Sequence, residues 1–522
     1  MKLAAIDIGT NSIHMVVVET DARASFTVVD REKSMVKLGA GLFGTRRLTE
    51  RAFNDGLEAM RRYARLAENH GVDEILAVAT SATREAENGG DFLDAIFRDT
   101  GVKPRVISGI EEARLIYLAV RHTVDLGLER ALIVDIGGGS VEVIVGDCRE
   151  VLMSESLRLG VQRLLERRGS TKPLPPKVIH ELQGYIRGVA SDALGEARRF
   201  DFVRVIGTSG TIRTLGEAAH LMNGGTPWRS VNAQVARRKD IKDLTKKLLE
   251  LGESERAKLP GIGEQRADTI HLGAVLLSEI LELANKDELT LCDGSLREGV
   301  IIDHLERHGA GGRAHRPVPD VRRRSVFELM AKYGRDDPRE EHIAGLALQL
   351  FEQTRSLHGY GATERELLEY AALLHGIGQH ISFRRRQQHS EYIIRYSDLR
   401  GFSDEELELI GLLVLYHRKA PPRSQDARLR RLSLEERRKL RILSGILRIA
   451  VSLDRGRSQV VKRLRADTID GKLELRVAGV GDLELEIWAA SSKTSPLARA
   501  LDREIVIGAD SGVSRLSRPP SP

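Results

Sequence analysis

The chain has 522 residues, a net charge of only +6, 4% aromatics and two cysteines. That length exceeds what a single core serves, so two to four domains are expected. Cys148 and Cys292 exclude a disulfide framework and read as reduced core thiols, and the scarce aromatics argue against a base-stacking nucleic-acid surface. No apolar run approaches the roughly 20 residues of a membrane span, and Met1-Lys-Leu runs straight into a strand, so a cytoplasmic protein without leader or membrane partner is expected.

Residues 1–20 read as two strands around a glycine turn, Asp7-Ile-Gly-Thr-Asn-Ser12, with Met15-Val-Val-Val-Glu19 as the return strand. Residues 49–70 pattern as a helix with Thr49 as N-cap. Glu74 to Thr80 is a buried strand, and Arg84 just beyond it suits bidentate pairing with a phosphate. Lys103 to Ile107 is a strand leading into a helix. Ser108 and Glu111 have capping-box spacing, which occupies Glu111 and leaves Glu112 free in the first turn. A carboxylate at a helix start beside a phosphate site can orient and deprotonate a water.

Residues 121–130 look like a crossover. Then comes the most informative stretch, Ala131-Leu-Ile-Val-Asp-Ile-Gly-Gly-Gly-Ser140-Val-Glu142-Val-Ile-Val-Gly146. Strand, glycine turn and strand again let backbone N–H groups converge on an anion. Asp135 stands beside that cradle, and a carboxylate there repels phosphate unless a cation such as Mg²⁺ lies between them. The turn at Asp7 is a near copy, so two similar lobes facing one cleft are expected. Ser154 to Gly160 reads as a turn after the second lobe's strands, and His180 to Ala197 as an amphipathic helix. Val203 to Ile206 is a strand ending in Gly207-Thr-Ser-Gly210, an anion site at a helix start. Gly261 to Leu283 is helical, and Leu289 to Gly299 closes the lobe, with Asp293 and Glu298 as cleft candidates. Residues 308–319 read as a linker and 325–458 as nearly all helix. Residues 460–508 alternate around Leu473-Glu-Leu-Arg-Val and Leu483-Glu-Leu-Glu-Ile and suggest a β-rich end domain with a helix near 493–503. Ser511 to Pro522 reads as a disordered tail.

The two turns resemble the phosphate loops of the acetate and sugar kinase, heat-shock ATPase and actin superfamily. The finer pattern is similar to the exopolyphosphatase and guanosine pentaphosphate phosphatase family. Its marks are Asp7-Ile-Gly-Thr-Asn-Ser-Ile-His-Met15, Ala79-Thr-Ser-Ala-Thr-Arg84, Ile107-Ser-Gly-Ile-Glu-Glu-Ala-Arg-Leu-Ile-Tyr117, Asp135-Ile-Gly-Gly-Gly-Ser-Val-Glu142, Ile206-Gly-Thr-Ser-Gly-Thr-Ile212 and Leu296-Arg-Glu-Gly-Val300. The resemblance implies an α/β fold of two ribonuclease H-like, actin-like lobes (1–120 and 121–305). An all-α His-Asp-like domain (320–458), a small α+β domain (459–510) and the tail (511–522) would follow.

It further implies hydrolysis of terminal phosphate from inorganic polyphosphate, or 5′-dephosphorylation of pppGpp to ppGpp, by a cytoplasmic homodimer that takes no nucleic acid. Glu112 would be the general base, and Arg84 would neutralise the departing phosphoryl group. Asp7, Asp135 and Glu142 would hold Mg²⁺ or Mn²⁺ directly or through water. Thr10, Asn11, Ser12, Gly137, Gly138, Gly139 and Ser140 would bind phosphate. Gly207, Thr208, Ser209 and Gly210 would hold either a nucleotide or more of a phosphate chain. A kinase or ATPase of the superfamily fits less well, because a water-activating Glu112 suits hydrolysis. A non-catalytic polyphosphate or alarmone sensor is opposed by intact loops. His342 and His375 resemble the first two positions of a His-Asp metal site, with His389 and His417 at other family positions. Gly376 stands where the metal-bridging Asp belongs, so that site is expected to be inactive. Arg384, Arg385, Arg386, Arg418, Lys419, Arg423, Arg428, Arg430 and Arg431 could line a channel for a long polyanion.

Overall fold

A computed structural model describes residues 1–20, 26–168, 172–308, 321–334, 338–397, 399–418, 422, 427–429 and 432–510. The linker, the tail, Lys419, Arg423, Arg430 and Arg431 lie outside the described residues, apart from His308. The chain forms two compact units, Met1–Val321 and Arg322–Pro522.

In the first unit, β1 (Lys2–Ile8), β2 (Ile13–Thr20), β3 (Phe26–Ser34), β4 (Glu74–Ala79) and β5 (Arg105–Val106) make a sheet in the order β3-β2-β1-β4-β5. The first three strands are antiparallel, and β4 and β5 run parallel to β1. A second sheet repeats this plan. Its strands β6 (Ala131–Ile136), β7 (Val141–Gly146), β8 (Val151–Leu157), β9 (Arg204–Thr208), β10 (Val235–Arg237) and β11 (Glu288–Leu291) lie in the order β10-β11-β9-β6-β7-β8. Here β6, β7 and β8 are antiparallel, while β9 and β11 are parallel to β6. This duplicated plan is the α/β fold of the actin-like ATPases.

Side chains alternate along each strand, so each sheet serves two cores. On β1, Ala4, Ile6 and Ile8 face an outer core with Met60 and Tyr63 of the helix Glu50–Asn69. Leu3 and Ala5 face an inner core shared by both sheets. On β6, Ala131 and Ile133 join the inner core, and Leu132, Val134 and Ile136 join the second lobe's own core. The helices Gly109–Thr123 and Leu296–His308 fill the inner core through Leu115, Ile116, Val300 and Ile301. Ser154 and Ser156 belong to strand β8 itself, not to a turn after it.

The second unit is built from the helices Val321–Lys332, Pro338–Gln353, Ala362–Leu374, Arg386–Tyr396, Asp404–Tyr416 and Leu434–Ser452. The first of these begins at the last residue of the first unit. A sheet of β12 (Val461–Ile469), β13 (Lys472–Gly479) and β14 (Ile505–Ala509) shares their core. The alternation after Leu483 does not make a strand. Residues Glu484–Ser491 are helical, because Leu483, Ile487 and Ala490, spaced four and three apart, face that same core. His375 and His417 each end a helix and are buried, with ring centroids 5.4 Å apart. Asp454, unremarked in the sequence, is fully buried and ion-paired to Arg339 at 2.6 Å. Arg384 and Arg385 are exposed, but Arg386 is buried, its guanidinium 4.9 Å from the Phe383 ring centroid.

Candidate active site

Strand alternation aims three acids at the space between the lobes. Asp7 follows Leu3 and Ala5 on the inner face of β1, and Asp135 follows Ala131 and Ile133 on that of β6. Glu142 shares the inner face of β7 with Ile144 and pairs in register with Asp135. The two turns close alike: Gly9 N–H donates to Ser12 O at 3.2 Å, and Gly137 N–H to Ser140 O at 3.0 Å. They also touch. A Cβ on Gly138 would lie 2.9 Å from Thr10 Cβ, and one on Gly139 would lie 2.8 Å from Thr10 Oγ1 and closer still to Ser81 Oγ. Only glycine permits this approach, which brings Thr10, Asn11, Gly138, Gly139 and Ser81 into one floor. The third loop adjoins it, since Thr208 on β9 pairs in register with Asp135. The Thr208 hydroxyl donates to Gly294 O. Ser209 adopts φ +82°, and the Arg266 guanidinium packs against Gly210.

Glu112 is the fourth acid. It is buried, and Arg84 Nη1 lies 3.4 Å from its Oε2. Arg84 is itself pinned by donating to Ile107 O at 2.6 Å. The capping box forms only by half. Ser108 Oγ accepts from Glu111 N–H at 3.1 Å, but the Glu111 carboxylate turns to Arg114, which donates from Nε at 2.8 Å and from Nη2 at 3.1 Å. The guanidinium offers a stronger partner than the Ser108 amide. Glu111 is therefore committed away from the cleft.

These acids repel each other in a dry place. Burial, then the Arg297 and Glu298 charges, leave the Asp7 carboxyl pushed up to about 6. Burial holds Glu142 up near about 7, although Ser156 and Ser140 donate to it, Ser156 at 2.8 Å. Burial and the Glu142 charge raise Asp135 and Glu112 well above the usual carboxylate range. Among the described residues, Asp7 Oδ1 and Asn11 Oδ1 are buried without a hydrogen-bond partner.

A cleft of about 1050 Å³ reaches the second loop at Ser140 and is lined by Arg46, Arg84, Arg158 and Arg163 together with Ser156 and Ile110. Arg163 stacks on Phe43 at 3.9 Å and pairs with Glu85 at 2.7 Å, locking the second lobe to the first. A second cationic group, Lys33, Arg213, Arg266 and Arg297, lies near the third loop. Of the other candidates, Asp293 accepts from Asn232 Nδ2 at 2.6 Å. Buried Glu298 accepts from Ser295 and is held low by Arg297 against its burial. Sequence reasoning missed Ser156, Arg163 and the contact between His14 and Arg297, which meet the loops only in three dimensions.

Duplicated α/β lobes whose glycine loops meet beside a group of carboxylates and an arginine-lined cleft define a phosphate-handling protein of the actin-like ATPase type. Within that class, the chain belongs to the Ppx/GppA phosphatase family: the family's phosphatase region matches residues 16–308, and its domain III matches 321–493. It is thus a phosphatase of the polyphosphate and GppA type, a hydrolase of phosphoanhydrides. Among solved structures it is similar to an exopolyphosphatase from Cytophaga hutchinsonii, at 28% identity over 58% of this chain and 98% of that one, TM-score 0.56. The Aquifex aeolicus family member matches at 26% identity over 58% and 97%, TM-score 0.50. An exopolyphosphatase-like protein matches at 28% identity over 59% and 99%, TM-score 0.52. Among the described residues, no helix is long and apolar enough to cross a membrane.

Proposed function

We propose that the protein is an exopolyphosphatase that hydrolyses the terminal phosphate of inorganic polyphosphate with the help of Mg²⁺ or Mn²⁺. The observation that carries this reading is the group of four acids, buried Glu112 and Glu142 with half-buried Asp7 and Asp135, beside loops suited to phosphate. Acids and phosphates repel, so a cation must separate them, and the unpartnered Asp7 Oδ1 fits one. Asp7 and Asp135 would hold the ion, with Glu142 through water. Among the described residues no three His, Cys, Asp or Glu side chains are arranged to hold a metal by themselves. Water and substrate phosphate would supply the remaining ligands, the usual habit of Mg²⁺. When bound, the ion would neutralise charge on the phosphate oxygens.

The chain's own groups do the positioning. Backbone N–H groups of Gly137, Gly138 and Gly139, with Thr10, Asn11, Ser12 and Ser140, hold the phosphate oxygens. Arg84 offsets the charge that develops as the terminal group departs. Glu112 takes a proton from the attacking water, a role Arg84 supports by fixing its carboxylate. The names of the similar exopolyphosphatase structures favour polyphosphate as substrate.

One observation favours a second reading, pppGpp 5′-phosphatase. The group of Lys33, Arg213 and Arg266 beside Gly210 suits the remaining phosphates and sugar of a nucleotide. In the second unit, exposed Arg384 and Arg385 would hold the distal part of a long chain. Gly376 replaces the Asp of a working His-Asp site, so this unit would bind and not cut. Phosphate release from polyphosphate and from pppGpp, measured side by side with Mg²⁺ and with excess chelator, tests these readings. Metal-dependent release from polyphosphate is expected. Full activity in chelator refutes the cation, and release from pppGpp alone refutes the first substrate.

A further inference from the structure

The two phosphate loops have the same backbone but opposite hydroxyl chemistry. Position for position, Asp7-Ile-Gly-Thr-Asn-Ser12-Ile-His14 matches Asp135-Ile-Gly-Gly-Gly-Ser140-Val-Glu142, and His14 pairs with Asp7 as Glu142 pairs with Asp135. His14 therefore occupies in the first lobe the place of an acid in the second. Its ring is held at both nitrogens: Nδ1 lies 2.9 Å from Arg297 Nη1, and Nε2 lies 2.7 Å from Ser12 Oγ.

These two contacts decide where the protons are. A guanidinium only donates, so Nδ1 must be the bare, accepting nitrogen. A neutral imidazole then carries its proton on Nε2, which donates to Ser12 Oγ. The hydroxyl proton of Ser12 is not used by the ring and is free to donate elsewhere. In the second loop the direction reverses, because Ser140 donates to Glu142. Arg297, Lys33, Arg266 and Arg213 surround His14, and they reinforce its neutral form.

We infer that His14 is a positioning residue: bridging Arg297 and Ser12, it turns the Ser12 O–H toward the phosphate between the loops. The inference rests on the phosphatase reading and deepens it by giving the first loop a side-chain donor of fixed direction. His14 touches neither substrate nor reacting atoms and acts through Ser12.

The test combines a double-mutant cycle with a spectroscopic readout on the full-length protein. Ser12→Ala and His14→Ala should each lower kcat/KM for polyphosphate about 10- to 100-fold, the scale of one hydrogen bond to a charged group. The double variant should be no more than about threefold worse than either single variant, because both remove the same donor. His14→Gln offers an amide oxygen to Arg297 and an amide N–H to Ser12, and should recover to within about tenfold of wild type. Additive losses, or an unchanged kcat/KM in His14→Ala, would overturn the inference. Should polyphosphate not be the substrate, tripolyphosphate binding by calorimetry gives the same comparison without turnover. ¹⁵N-histidine NMR of the metal-free protein, with His14→Gln for assignment, stands apart from both. A bare Nδ1 and a protonated Nε2 from pH 6 to 8 support the relay, and the opposite tautomer or an imidazolium refutes it.

Discussion

Replacing Asp7 with asparagine should stabilise the metal-free protein while abolishing its activity. Burial pushes the Asp7 carboxyl from 3.8 up to about 6 in the folded chain. Because the folded value lies above the unfolded one, folding takes up a proton in this window. The cost of the buried charge is absent below about pH 4, grows through the window, and is complete above about pH 6. A rise of about two units corresponds to about 3 kcal/mol at pH 8 and about half of that at pH 5. The asparagine side chain has nearly the same shape and no charge, and Asp7 Oδ1 has no hydrogen bond to lose. For a unit of this size, 3 kcal/mol corresponds to about 5 °C in melting temperature. Calorimetry in excess chelator should therefore find the transition of the first unit about 5 °C higher for Asp7→Asn at pH 8, and less at pH 5. Added Mg²⁺ should raise the wild type and leave the variant nearly unmoved. A variant no more stable than wild type at pH 8, or one gaining equally at both pH values, would refute the claim that Asp7 is a strained, cation-seeking charge.

Glu112→Gln should retain polyphosphate binding and lose about 10²- to 10⁴-fold in kcat. Glu111→Gln, whose carboxylate serves Arg114, should stay within about threefold of wild type. Gly139→Ala would drive a methyl group to 2.8 Å from Thr10 Oγ1 and into Ser81 Oγ, so chemical denaturation should show a loss of about 1–3 kcal/mol and steady-state assays a steep fall in kcat/KM. A fragment ending at Val321, the end of the first compact unit, should still hydrolyse short polyphosphate. Its KM on long chains should rise, and the salt dependence of binding should weaken. Equal chain-length dependence in fragment and full protein would remove the second unit from the polyphosphate track.

What could be read from the sequence was local, and what could not was the set of partners that meet only on folding. A strand, a glycine turn and a strand are contiguous, so Asp135, Gly137 to Gly139 and Glu142 stand in one short stretch, but that both acids share a face follows from the register of the strand pair and not from alternation alone. The Ser108 cap was legible because it too is contiguous. The fate of the Glu111 carboxylate was not, because spacing alone cannot weigh the Ser108 amide against the guanidinium of Arg114. After Leu483 the apolar positions satisfy period two and helical spacing alike for a few residues, and only the shared core decides for helix. Ser156 reaches Glu142 across the sheet, and Arg163 reaches Glu85 across the lobes. His14 shows the limit most sharply. Its place in the motif was plain, yet its chemistry depends on Arg297, which arrives from a distant helix and alone determines which ring nitrogen carries the proton. A duplicated loop thus reports two equivalent turns. In our proposal the unlike residues at equivalent positions, Glu142 and His14, turn one serine hydroxyl to an acid and leave the other to donate to the phosphate.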